Sequence, residues 1–157
     1  MKKYICLLLL FSLVLLPSCS AKDPSAMEIF SSITEKLPSL PRGSLYISGR
    51  AAGDEHYMSP ALFSAVFDKK LLSYVEEYVI YLSSFSLPCE IAVFKCYSSF
   101  DRKVVERACM RRLDHLRSYF GSTEHQSTLS SPIIESSGRT VIFIISPHAE
   151  DLSGIVK

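Results

Sequence analysis

The sequence predicts an α+β domain, an antiparallel four-stranded sheet with a long helix on one face and shorter N- and C-terminal helices. Three observations lead there. The segments Cys89 to Tyr97 and Val141 to Ile145 are apolar on both alternating sets of positions, as strands covered on both faces must be. Asp101 to Phe120 places Val105, Cys109, Leu113, Leu116 and Phe120 at helical spacing, one buried stripe on an otherwise charged helix. From Val75 onward the order is strand, strand, helix, strand, strand, helix, and short connections between successive strands require antiparallel pairing.

The elements follow in chain order. Ser25-Ala26-Met27-Glu28 reads as a capping box, the serine capping the helix and the glutamate reaching back. Ala26, Phe30, Ile33 and Leu37 then recur at helical spacing until Pro38 and Pro41, which predicts a helix from about Ala26 to Lys36. Pro38 to Met58 is the least periodic stretch, and within it Leu45-Tyr46-Ile47 could form a short edge strand. Ser59-Pro60 is a helix start with proline at the first helical position, opening a short helix from Ala61 to Phe67. Val75 to Leu82 is rich in Val, Tyr and Ile and predicts a strand. Cys89 to Tyr97 is the central strand. Gly121 ends the long helix, and Ser122 to Ser131 reads as a polar loop. Ile133 and Ile134, then Ser136-Ser137-Gly138, then Thr140 to Ile145 predict a hairpin on a three-residue turn with glycine at its left-handed position. His148 to Val156 is expected as a terminal helix. The two double-sided strands need a second cover, which the helices at Ala26 and Ala61 can supply; otherwise that face is an apolar partner site.

The first residues read differently. Of the 18 residues before Cys19, 13 are apolar. Lys2 and Lys3 precede a 13-residue run from Tyr4 to Leu16 whose only polar member is Ser12. At ~1.5 Å per residue that run reaches ~20 Å, short of a ~30 Å hydrocarbon core, so residues 1–18 are expected to be an export signal. Leu16-Pro17-Ser18-Cys19 resembles the bacterial lipobox. The resemblance implies that Cys19 takes a diacylglycerol thioether and becomes the first residue after cleavage. Residues 19–25 then form a lipidated tether and 26–157 a single domain. Two or more acyl chains hold a protein stably on a bilayer. Losing Lys2 and Lys3 moves the net charge from +1 to −1, which argues against a basic nucleic-acid binder.

Val75-Glu76-Glu77-Tyr78-Val79-Ile80-Tyr81-Leu82, followed by Glu90-Ile91-Ala92-Val93-Phe94-Lys95, the long helix and the terminal hairpin, form one pattern behind the lipobox. It resembles the small lipoproteins of Gram-positive bacteria grouped as domain of unknown function 4358. That resemblance spans roughly Met27 to the C-terminus and implies an exported, lipid-anchored α+β domain. It implies no activity, substrate or catalytic residue.

No catalytic constellation, metal site or cofactor motif is legible. His56, His115, His125 and His148 stand in no HExxH or HxH spacing, and neither a GxSxG elbow nor a phosphate loop occurs. Cys89, Cys96 and Cys109 are expected as buried small hydrophobes. Cys96 and Cys109 could meet, because the strand feeds the helix; Cys89 and Cys96 lie too far apart along one strand. Glu90 and Lys95 interrupt the central strand five positions apart, so they face opposite sides and are candidate binding residues. The expectation is that both sit near solvent at strand ends, the alternative that one lines a polar pocket. The long helix holds six basic residues against three acidic ones. Arg107, Arg111 and Arg112 are candidate contacts to an anionic surface, weighed against a solvated face.

These readings favour a non-catalytic, lipid-anchored binding or assembly module at the cell envelope, with a membrane contact through Cys19 and an envelope protein or anionic surface as possible partner. The alternatives are an envelope enzyme using Asp54, Glu55 or His56 in the 42–58 loop, and a small-ligand carrier.

Overall fold

The computed structural model describes residues 23–84, 87–121 and 123–152. The expected export signal, Cys19 and the start of the expected tether lie outside the described residues.

The chain is α+β, but the sheet has five antiparallel strands rather than four, in the order β1-β2-β3-β5-β4. The strands are β1 (Gly43–Ile47), β2 (Val75–Ser83), β3 (Glu90–Cys96), β4 (Ile133–Ser137) and β5 (Thr140–Ile145). The added strand is β1, which pairs along the outer edge of β2 from Gly43↔Ser83 to Ile47↔Val79. Gly43 and Ser44 are exposed and Leu45, Tyr46 and Ile47 only partly buried, so the sequence shows there little of the alternation that marks a strand. Gly43 is fixed by close approach, since a Cβ there would collide with the Leu82 carbonyl oxygen and the Tyr81 ring.

Two layers of helix and turn cover the sheet. Helix α1 (Ala26–Thr34) forms behind the expected capping box, in which the Glu28 amide donates to Ser25 Oγ and Glu28 Oε2 accepts from the Ser25 amide. It packs Ala26, Phe30 and Ile33, with Leu37 beyond it, against Val79, Tyr81, Ile91, Val93, Ile142 and Ile144. The other face of the sheet meets α3 (Arg102–Tyr119) through Ile80, Ala92, Phe94, Val141, Phe143 and Ile145. All seven β3 residues are buried, which fits a central strand between two layers.

Three expectations change. Helix α2 (Pro60–Val66) lies with α3, not on the opposite face. Its aromatic residues decide this: Phe63 packs on Tyr78 at 5.3 Å between ring centroids, and Phe67 meets Phe94 edge-on at 5.2 Å. Among the described residues the second face is therefore covered by α1 and by a 3₁₀ turn, Ala149–Leu152, at the start of the expected terminal helix, whose remainder to Val156 lies outside the described residues. Residues i and i+3 of such a turn share one side, which seats Ala149 and Leu152 on the sheet together. The 122–131 loop contains α4 (Gln126–Ser130). Leu129 is its one buried residue, too little for a periodic signal.

The β4–β5 hairpin also differs. Ser137 pairs with Thr140, so the turn holds two residues, Gly138 and Arg139, instead of three. Gly138 has φ +54°, as the first central position of a type II′ turn requires. All three described cysteines are free and buried.

Replacing Leu113, which is buried in the core, tests this packing. Leu113→Ala is expected to lower unfolding stability by about 2–5 kcal/mol. Met110→Ala, one turn away on the exposed side of α3, should change it by less than about 0.5 kcal/mol. Urea unfolding of both variants makes the comparison.

Candidate functional site

The long helix presents its stripe to the sheet, and the border of that stripe carries the chemistry. Ala108, Arg112 and Leu116 follow at four-residue intervals, so they form one row along α3. Ala108 and Leu116 are buried, which draws Arg112 down between them. Glu90 faces the same side as Ala92, Phe94 and Cys96 on β3, directly toward this row. Arg112 Nε donates to Glu90 Oε2 at 2.9 Å while Nη2 donates to Oε1. The result is a two-pronged ion pair whose side chains are 12% and 7% exposed. A fork of this kind satisfies both carboxylate oxygens, which burial demands.

The pair forms the floor of a groove of about 580 Å³. One wall is the β1–β2 edge, with Arg42, Ser44, Tyr46 and Leu82. Leu62, Ala65 and Val66 of α2 form the second. His115, Leu116, Tyr119 and Phe120 form the third, where Tyr119 and Phe120 stack edge-on at 4.9 Å. A second hollow of about 500 Å³ adjoins it, between the α2 end and Ala108 and Arg111. The two share Ala65, Val66, Arg112 and His115. Glu90 and Arg112 neutralise one another. The remaining charges around both hollows are Arg42, Arg111 and Lys69 against Asp68, with the His115 imidazole among them. The lining is an apolar trough with a basic rim, the composition of a small-ligand site.

The other candidates separate. Glu90 is buried rather than solvent-facing, and Arg112 is its partner. Arg111 reaches the second hollow. Arg107 lies outside both, its guanidinium donating to the Lys103 carbonyl on the same helix at 3.1 Å. Lys95 faces the opposite side of β3, with a side chain only 4% exposed. Its ammonium lies 2.6 Å from Asp23 Oδ2. Asp23 also meets Arg139 Nη2 at 3.4 Å, and Arg139 Nη1 donates to Glu76 Oε2 at 2.7 Å. Glu77, next in β2, accepts the first amide of α1, from Ala26, at 3.0 Å. The start of the domain is thus clamped to one end of the sheet by side chains. Asp23, Arg139 and Glu76 carried no sequence signal for this, because Asp23 and Arg139 stand 116 positions apart. Both strand charges are therefore buried, where the sequence favoured solvent.

In the 42–58 segment Arg42 and Ser44 line the groove, while the polar groups around Asp54 and His56 are spent within the segment. The His56 amide donates to Asp54 Oδ1 at 2.8 Å, His56 Nδ1 lies 3.1 Å from the Leu45 carbonyl oxygen, and Arg50 pairs with Asp54 at 3.6 Å. Asp54, Glu55 and His56 line neither hollow. Among the described residues, no group of three or more His, Cys, Asp and Glu side chains could hold a metal ion, and no helix is long and apolar enough to cross a membrane. No family model, curated protein or solved structure matches the chain.

Two outcomes follow from the buried charges. Glu90→Ala leaves the Arg112 guanidinium buried and uncompensated, and is expected to cost about 3–5 kcal/mol in urea unfolding. The second outcome depends on pH. The Lys95 ammonium, 2.6 Å from Asp23 Oδ2, holds that carboxyl below its ordinary value of 3.8, against a smaller opposing effect of desolvation. A carboxyl lowered in the folded state stabilises fully above its unfolded value, and its contribution disappears as pH falls through the folded value. Unfolding free energy measured in urea across pH should therefore show an acid transition below about 3.8, where the contribution of Asp23 is lost. The Asp23→Asn variant should lack that transition.

Proposed function

We propose that the chain is a lipid-anchored, extracytoplasmic binding module of the bacterial envelope, and that its groove takes an amphiphile. The ligand's apolar body lies along Leu62, Val66, Leu82 and Leu116, and its anionic group meets the basic rim at Arg42 and His115. The observation that carries this reading is the apolar groove closed at its floor by the Glu90–Arg112 pair. The floor pair supplies rigidity rather than charge, because a fork locked between strand and helix holds both walls in place. Location comes from the lipobox ending at Cys19 and the short apolar run before it. The resemblance to the domain of unknown function 4358 lipoproteins accords with that location. A binding role is preferred to an enzymatic one because Asp54, Glu55 and His56 line neither hollow, and Asp54 and His56 are held by contacts within their own segment.

Dodecanoate titrated calorimetrically into the protein tests the groove, with dodecanol as its uncharged counterpart. The expected result is saturable one-to-one binding of dodecanoate. Ala65→Trp, which fills the trough from an exposed position, should weaken it about tenfold or more, ~1.4 kcal/mol, without lowering thermal stability. Arg42→Glu should weaken dodecanoate but spare dodecanol. Dodecanoate binding unaffected by Ala65→Trp contradicts the proposed site.

A further inference from the structure

The end of the sheet that clamps Asp23 carries exposed aromatic residues that the other described residues leave uncovered. Tyr97 and Phe100 occupy the turn between β3 and α3, 58% and 88% exposed. This turn is held firmly. Asp101 Oδ2 accepts from the Ser98 amide at 3.0 Å and from Ser98 Oγ at 2.7 Å, and the Asp101 amide donates back to Ser98 Oγ at 3.3 Å. Phe100 lies inside that reciprocal bracket, so its ring is presented by a fixed backbone. The turn is also tied to the clamp. Arg139, which pairs with Asp23, donates to the Cys96 carbonyl at 3.4 Å, one residue before Tyr97. Arg102 Nη1, two residues after Phe100, donates to the Gly138 carbonyl of the adjoining hairpin at 3.3 Å.

The chain enters the fold at this same end. Three residues, Ser20 to Lys22, separate Cys19 from Asp23. Even fully extended, the four steps from Cys19 to Asp23 span at most ~14 Å. A domain whose entry point is pinned within that distance of an acyl anchor must hold the pinned end near the lipid headgroups. An exposed aromatic pair suits that interface, where a ring meets acyl chains and a phenol hydroxyl meets headgroups.

From this juxtaposition we infer that the domain docks end-on against the bilayer that holds its own anchor, with Phe100 and Tyr97 as the inserted contacts. The occupant of this surface is lipid. Glu90 and the groove lie at the opposite end of β3, about five residues or ~17 Å along the strand, so docking leaves the groove open away from the membrane. The inference rests on acylation at Cys19 as proposed above, and the experiment separates the two.

The test uses the full chain, expressed in a bacterium and fractionated with its membranes, then reconstituted into phosphatidylglycerol–phosphatidylethanolamine vesicles. Phe100→Cys and Leu87→Cys place a thiol at either end of the domain, both at exposed positions. An environment-sensitive fluorophore is attached to each. Cys89, Cys96 and Cys109 are buried and acylation occupies the Cys19 sulfur, so on the processed, acylated chain the new thiol is the one that reacts. The expected result is a blue shift at position 100, with loss of emission when lipids carry a headgroup nitroxide, and neither change at position 87. Membrane retention with equal emission loss at both positions, or with none at 100, overturns docking and leaves the anchor standing. A blue shift at 100 without quenching by lipid nitroxides shows a protein occupant and also overturns it. Recovery of the full chain in the soluble fraction overturns the anchor and the docking together.

Discussion

The structure depends on one constraint: its central strand, β3, is buried on both faces and still carries a charge toward each. Glu90 points into one layer and Lys95 into the other. Neither ion is stable there alone, because water has been removed from around it. Each is answered by a group from the layer that covers it. Arg112 comes from the long helix, and Asp23 from the chain leading into the first helix. Both covers are therefore positioned by hydrophobic area and also by a charge that tolerates little displacement. Area alone would let a helix slide along an apolar sheet; a forked guanidinium–carboxylate pair fixes its register.

This arrangement divides the domain into two functional ends. At the Glu90 end, the long helix stands away from the β1–β2 edge far enough to leave a groove, and the ion pair holds the gap open from below. At the Lys95 end, the same logic pins the entry of the chain and gathers Glu76, Arg139 and the β3–α3 turn around it. The two ends serve different partners in the proposed picture, an amphiphile in the groove and a bilayer under the aromatic turn. The uneven basic charge of the long helix is largely absorbed by structure. Arg102 holds the hairpin turn, Arg112 holds Glu90, and Arg117 donates to the Leu129 carbonyl at 3.1 and 3.2 Å. Of the remainder, Arg111 lines the second hollow, while Lys103 and Arg107 lie outside both.

Much of the architecture was legible from local pattern. The capping box at Ser25, the stripe on α3 and the double-sided apolar strands are all short-range signals, and all appear in the fold. The edge strand read at Leu45–Ile47 forms as part of β1, although the weak alternation there left it out of the four-stranded count. What the sequence hid is long-range. The sequence pattern offers helix α2 as cover for the face opposite the long helix, and the aromatic pairings of Phe63 and Phe67 put it on the same face as α3 instead. Of the site, Glu90, Lys95, Arg111 and Arg112 stood out as polar residues in or beside apolar runs. Their partners did not, because the contacts of Glu90 with Arg112 and of Lys95 with Asp23 bridge elements that only the folded sheet brings together. Two charges in a central strand suggested solvent at its ends; burial with private counter-ions is what the packing imposes.

The most direct test is a set of double-mutant cycles on these four residues, using Glu90→Gln, Arg112→Met, Lys95→Met and Asp23→Asn and measuring unfolding free energy. The expected result is coupling within each pair, Glu90 with Arg112 and Lys95 with Asp23, larger for the more buried first pair. Across the sheet, Glu90 with Lys95 should be additive within about 0.5 kcal/mol, since the two act on separate layers. Additivity within the Glu90–Arg112 pair would contradict the account, because the long helix would then be placed by apolar packing alone.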